Sequence, residues 1–179
     1  MNQATIQKLF VEQIRDIYDA EKQLVKALPD LAAAAESTEL GNALRKHLQE
    51  TQNQVRRLEE VFSLAGVAPK GKTCKGMKGL IEEGSEAAAE QKGPVRDLAI
   101  IAGAQRVEHY EISAYGTART LAEELDMNDA VKLLQETEDE EKNADETLTT
   151  IALRLIDGEE SEDVEDVKPA TFRSGGGGR

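Results

Sequence analysis

The chain has no tryptophan, only three tyrosines and three phenylalanines, and a single cysteine among its 179 residues. With so few rings, the interior must be built from Leu, Ile, Val and Ala, a palette that suits close helix–helix packing better than a sandwich or barrel. The lone Cys74 cannot form an intramolecular disulfide, and no Cys-x-x-Cys pair is present to suggest zinc or dithiol redox chemistry. A reducing compartment, the cytoplasm, is therefore the expected location. No apolar run approaches the ~18 residues needed to span a membrane, and Met1-Asn2-Gln3-Ala4-Thr5 lacks the basic and apolar regions of a secretion signal. Positive charge is also scarce, 22 Lys and Arg facing 35 Asp and Glu for a net charge of −13. Such a field repels nucleic-acid phosphates and anionic lipid, so neither partner is expected. The same charge either keeps the chain soluble or gathers metal ions.

What is abundant is helical periodicity. A first helix is predicted from about Thr5 to Ala35 on the spacing of Leu9, Ile14, Ile17, Tyr18, Leu24 and Leu28, with a kink or break at Pro29. Ser37-Thr38 can cap a second, carrying Leu44, Leu48, Val55, Leu58 and Phe62 to a stop at Gly66. After a break over residues 67–72, a shorter glycine-interrupted helix from Cys74 to Glu90 reads as a crossover. Gly93-Pro94 opens a third long helix to about Leu125, and a fourth runs from about Asn128 to just before Gly158. Two short connections and one long one predict an all-α bundle of two antiparallel hairpins, occupying residues 1–157. From residue 158 to 179 the chain turns acidic and then glycine-rich, with too little apolar content to bury, and disorder is expected there. A tail that docks a partner through Phe172 is the less favoured reading.

Acidic residues interrupt the apolar faces of all four long helices. Glu21 lies one turn from Ile17 and Leu24; Glu50 and Gln54 are four apart on the second helix; Glu108 and Glu111 share a face with Ile101, Ile112 and Tyr115; Glu141 and Asp145 continue the register of Leu134 and Leu148. Glu21 stands about 16 residues before its hairpin turn and Glu50 about 13 after it, so a rise of ~1.5 Å per residue puts them within roughly 5 Å of one level. Glu111 and Glu141 are placed alike about the second turn. Buried without partners, these carboxylates would cost several kcal/mol each, together more than the ~5–15 kcal/mol stability of a domain. They must therefore face solvent, pair with cationic side chains or hold metal. Arg57, Arg106 and Lys142 are near in sequence but project from other helix faces, which favours the metal. An oxygen-rich donor set suits iron or manganese over structural zinc.

Together Asp16-Ile17-Tyr18-Asp19-Ala20-Glu21-Lys22-Gln23-Leu24, His47-Leu48-Gln49-Glu50-Thr51 and Ala104-Gln105-Arg106-Val107-Glu108-His109-Tyr110-Glu111-Ile112 resemble the YciE/YciF family of ferritin-like stress proteins. Glu136-Thr137, Glu140-Glu141 and Asp145 extend the likeness, which covers about residues 6–156. The resemblance implies a ferritin-like four-helix bundle, a dinuclear iron centre and a homodimer. Its acidic pattern falls on Glu21, Glu50, Glu108, Glu111, Glu141 and Asp145. At Gln54, where family members often place a histidine nearby, this chain has a neutral donor, implying looser binding or a shift toward manganese.

His47 either supplies the absent imidazole or stands outside the ligand set, the plainer reading; His109 should point some 100° away from Glu108. Tyr18 and Tyr115 pack in the interior or donate hydrogen bonds to the carboxylates. Two functions follow: metal oxidation or peroxide and oxygen handling at a two-metal centre, or a non-enzymatic helical stress module that works through protein partners. Storage of iron in a closed shell has no independent support in the chain.

Overall fold

The computed structural model describes residues 2–158. The predicted disordered tail and its Phe172 lie outside the described residues from Glu159 onward. Five helices form, α1 (Gln3–Ala34), α2 (Thr38–Leu64), α3 (Lys75–Glu90), α4 (Pro94–Glu124) and α5 (Asn128–Asp157), with no strand among the described residues.

The helix ends follow local chemistry. Asn2 caps α1 by accepting the Thr5 N–H, and Ser37 caps α2 by accepting that of Leu40. At the far end of α2, Gly66 takes φ +69°, and the N–H groups of Gly66 and Val67 return to the carbonyls of Ser63 and Phe62 at 3.0 and 3.1 Å. That reversal requires the left-handed backbone that glycine adopts without strain. Pro29 neither breaks nor ends α1, which continues to Ala34. Its ring is exposed while Leu28 and Ala32 are buried, so packing on the inner face holds the turn where one backbone bond is missing.

The four long helices form a ring in which α1 lies against α2 and α4, and α5 against α2 and α4. Neighbours run antiparallel, as shown by Tyr18–Glu59 between α1 and α2, Tyr110–Asp16 between α4 and α1, and Arg154–Glu39 and Arg57–Glu136 between α5 and α2. The α1–α2 turn is tied to the start of α4 by buried Asp97, whose two oxygens accept the N–H groups of Glu36 and Ser37 at 2.9 and 2.7 Å. Between α2 and α3 the chain is pinned to α1 by Lys72 N–H to the Arg15 carbonyl and Cys74 N–H to Asp19. The crossover helix α3 packs on α4 and α1, and at Gly84 and Gly103 it comes so close that a Cβ on Gly103 would stand 3.0 Å from the Gly84 Cα.

The apolar interior is split in two. One half gathers Leu24, Leu28, Leu44, Met77, Ile101 and Leu148; the other gathers Phe10, Ile14, Leu58, Phe62, Tyr115 and Leu134. On every long helix, the residues between the halves are polar: Glu21 on α1; His47, Thr51 and Gln54 on α2; Glu108 and Glu111 on α4; Glu141 on α5. The fold thus sandwiches one polar layer between two apolar halves.

Candidate metal centre

One donor atom from each of His47, Glu108, Glu111 and Glu141 lies within 4.8 Å of the others, and all four side chains are buried. His47 Nε2 stands 3.4 Å from Glu108 Oε1 and 3.8 Å from Glu141 Oε2, without the alignment of a hydrogen bond. Glu21 approaches from α1, fully buried, with Oε1 accepting the Tyr115 hydroxyl. Gln54 is also fully buried, its amide nitrogen donating to Glu140 at 3.0 Å.

The layer is short of partners. Glu21 Oε2, both His47 nitrogens, Gln54 Oε1, Glu108 Oε2 and all four oxygens of Glu111 and Glu141 are buried with no hydrogen-bond partner among the described residues. Burial pushes Glu21 up to about 8 against the pull of Tyr115 and His47, and pushes Glu111 and Glu141 well above the usual carboxylate range, with repulsion from Glu21 and Glu108 adding to both and that from Glu111 adding to Glu141. Burial alone would lower the His47 imidazole, but the charge of Glu108, with Glu50 and Glu21, outweighs it and lifts His47 to about 9. Tyr115 is likewise raised by burial and by the Glu21 carboxylate. Buried acceptors that repel one another and lack donors are the environment a multivalent cation relieves, and one imidazole among carboxylates is a donor set that iron and manganese accept. The residues therefore fit a metal.

Glu50 and Asp145 stand at the margin. Glu50 is half-buried, held 2.6 Å from Lys46, with its other oxygen 3.8 Å from His47 Nδ1. The imidazole holds Glu50 below the usual carboxylate range and burial opposes it, Lys46 assisting. Asp145 turns toward α4, accepting from Gln105 at 3.0 Å and lying 3.5 Å from exposed His109. Arg57 grips Glu140 and Glu136, Arg106 meets Glu83 and Lys142 meets Glu138, so none of these three cations neutralises the inner carboxylates.

Residues 5–160 match the family described as a domain of unknown function (DUF892). The chain belongs to this family. It is 46% identical to Protein YciF of Escherichia coli (strain K12) over 158 residues, 87% of this chain and 95% of that one. The crystal structure of the E. coli stress protein YciF is similar at a TM-score of 0.81 and 44% identity, covering 85% of this chain and 97% of that one. YcfI from Rhodopseudomonas palustris is similar at 0.79 and 44%, covering 81% and 93%. A Xanthomonas campestris protein shares the fold at 0.64 with 17% identity, covering 86% and 98%.

In this DUF892 chain, the side chain that the plainer sequence reading leaves outside the ligand set is His47. The signal was present: Leu44, His47, Thr51, Gln54 and Leu58 recur at three- and four-residue spacing, which puts His47 on the buried stripe and turns Glu50 to its edge, about 60° from His47. The stripe drawn through Leu48 and Val55 is rotated toward the half-buried edge, and Leu9 is likewise exposed while Phe10 is buried. Buried Glu138, not singled out by periodicity, pairs with Arg119 and Lys142 at 2.9 and 2.7 Å, so its charge is met locally.

Proposed function

We propose that this protein is a ferritin-like, stress-associated member of its family whose polar layer holds a dinuclear iron or manganese centre serving metal oxidation or peroxide and oxygen handling. The observation that carries the reading is the set of unpartnered buried donor atoms on Glu21, His47, Gln54, Glu108, Glu111 and Glu141. His47, Glu108, Glu111 and Glu141 would hold one ion, and Glu21 and Gln54 bring further oxygens for the second, with Glu50 and Asp145 at the margin. A bound pair of such ions supplies a redox-active Lewis acid that binds and activates an oxidant.

The chain's own residues do the rest. Tyr115 fixes one Glu21 oxygen and leaves the other turned to the layer. Glu50 faces Nδ1 of His47, which directs Nε2 inward as a carboxylate behind a ligating histidine does. The apolar halves above and below exclude bulk water, so charge in the layer is weakly screened. The protein is further proposed to be a cytoplasmic homodimer, as the family resemblance implies; light scattering on the purified chain gives the assembly directly.

Metal analysis after anaerobic iron loading tests the centre. About two ions per chain are expected for a two-metal site, with a marked loss in Glu108→Ala. Less than one ion per chain, unchanged in that variant, would overturn the proposal. Gln54, a neutral amide where the resemblance favours an imidazole, supports the second reading of a helical module acting through protein partners. That reading gains if excess iron and manganese leave the melting temperature unmoved, because tight binding to the native state must raise it.

A further inference from the structure

Two cavities reach the His47–Glu108 pair from opposite sides. One, of about 20 Å³, lies between α1, α3 and α4 and is walled by Leu24, Leu28, Leu80, Ile81 and Ile100. The other, of about 100 Å³, lies between α2 and α5 and is walled by Ala43, Lys46, Glu50, Asn143, Ala144 and Thr147. A single water needs roughly 10–15 Å³ of such space, so the first has room for one water and the second for several. A divalent ion travels with its hydration shell and cannot cross a wall of leucines, so only the second suits it.

We propose that the α2–α5 cleft is the route by which divalent cations load the inner layer, with Glu50 as an outer station where the arriving ion displaces the Lys46 ammonium. The inference rests on the metal reading above and names its entry. Buried His47 and Glu108 both line the cleft, and their unpartnered Nδ1, Nε2 and Oε2 atoms give the ion a next set of donors inside it. Glu50 occupies the intermediate position, 2.6 Å from Lys46 on one side and 3.8 Å from His47 Nδ1 on the other. The Lys46 side chain is 74% exposed, and a surface ion pair of this kind contributes little, so the ammonium yields readily to a divalent ion. The second acid on this wall, Glu140, is already gripped by both Arg57 nitrogens and by Gln54 and is unavailable as a station. The cleft therefore offers one displaceable carboxylate at its mouth.

The test is the rate at which Co²⁺ alone enters the metal-free full-length chain, followed by its d–d absorption in stopped flow, with affinity measured separately by equilibrium dialysis. Ala144→Phe, which narrows the cleft from α5, is expected to slow entry at least tenfold while affinity stays within threefold. Leu80→Phe, on the apolar side, is expected to leave the entry rate unchanged. Lys46→Gln, an exposed change that keeps the fold whatever happens to Ala144→Phe, is expected to speed entry about threefold. Unchanged entry rates in both Ala144→Phe and Lys46→Gln would overturn the route while leaving the metal centre standing. Absence of any Co²⁺ binding to the native chain would instead overturn the metal reading and the route with it.

Discussion

His47 is the side chain on which the proposed centre turns, because it brings the one imidazole into a layer otherwise built from carboxylates, an amide and a hydroxyl. Its nitrogens are both buried and unpartnered, and its charge is drawn up by the acids around it. Replacing it with alanine removes a donor and the only cationic group within the inner four. We expect His47→Ala to weaken manganese binding by on the order of tenfold to a hundredfold, the scale of losses around metal sites, measured by calorimetric titration. His109→Ala, whose ring is exposed on the outer side of α4, should leave the same affinity unchanged. Equal losses from both histidines would show that the binding measured is a surface effect of net charge.

At the scale of elements, the crossover helix α3 is what closes the α1–α4 side of the molecule, and glycine sets how near it comes. Gly84 and Gly103 face each other with backbone against backbone, so a methyl group on Gly103 meets a Cα rather than a flexible side-chain end. Gly103→Ala is expected to destabilise the protein by about 1–3 kcal/mol, the usual cost of overpacking, read by urea unfolding. Gly79→Ala, in α3 with open space around it, should be neutral or stabilising through helix propensity. The element boundaries were legible because they depend on neighbours in sequence: Ser37 before α2, Gly66 after it and Pro94 opening α4. The continuity of α1 through Pro29 was not, since it depends on the burial of Leu28 and Ala32 against other helices.

For the whole molecule, the buried layer couples stability to pH and, on the proposed function, to metal. Glu21 has its folded pKa raised from 4.5 to about 8, so the stability present while it is protonated is lost as pH rises across that window. His47 is raised from 6.5 to about 9, and the stability its charge contributes below 6.5 is lost as pH rises through 9. Both act in the same direction. The melting temperature of the metal-free protein should therefore fall steadily between pH 6 and pH 9 by scanning calorimetry, and the gain conferred by manganese should grow over the same range as protons cease to compete. A metal-free melting temperature that rises over this interval would show that the carboxylates are ionised and stabilised without metal. Read by itself, the sequence determined the all-α class, the helix limits and the presence of an acidic residue on each long helix, since periodicity, caps and breakers act within a few residues. Only the tertiary structure decided which acids meet. It turned His47 inward, left Glu50 and Asp145 at the margin, and joined Gln54 to Glu140, because a rotation of one residue on a helix moves a side chain by about 100° and the packing of neighbouring helices selects the rotation.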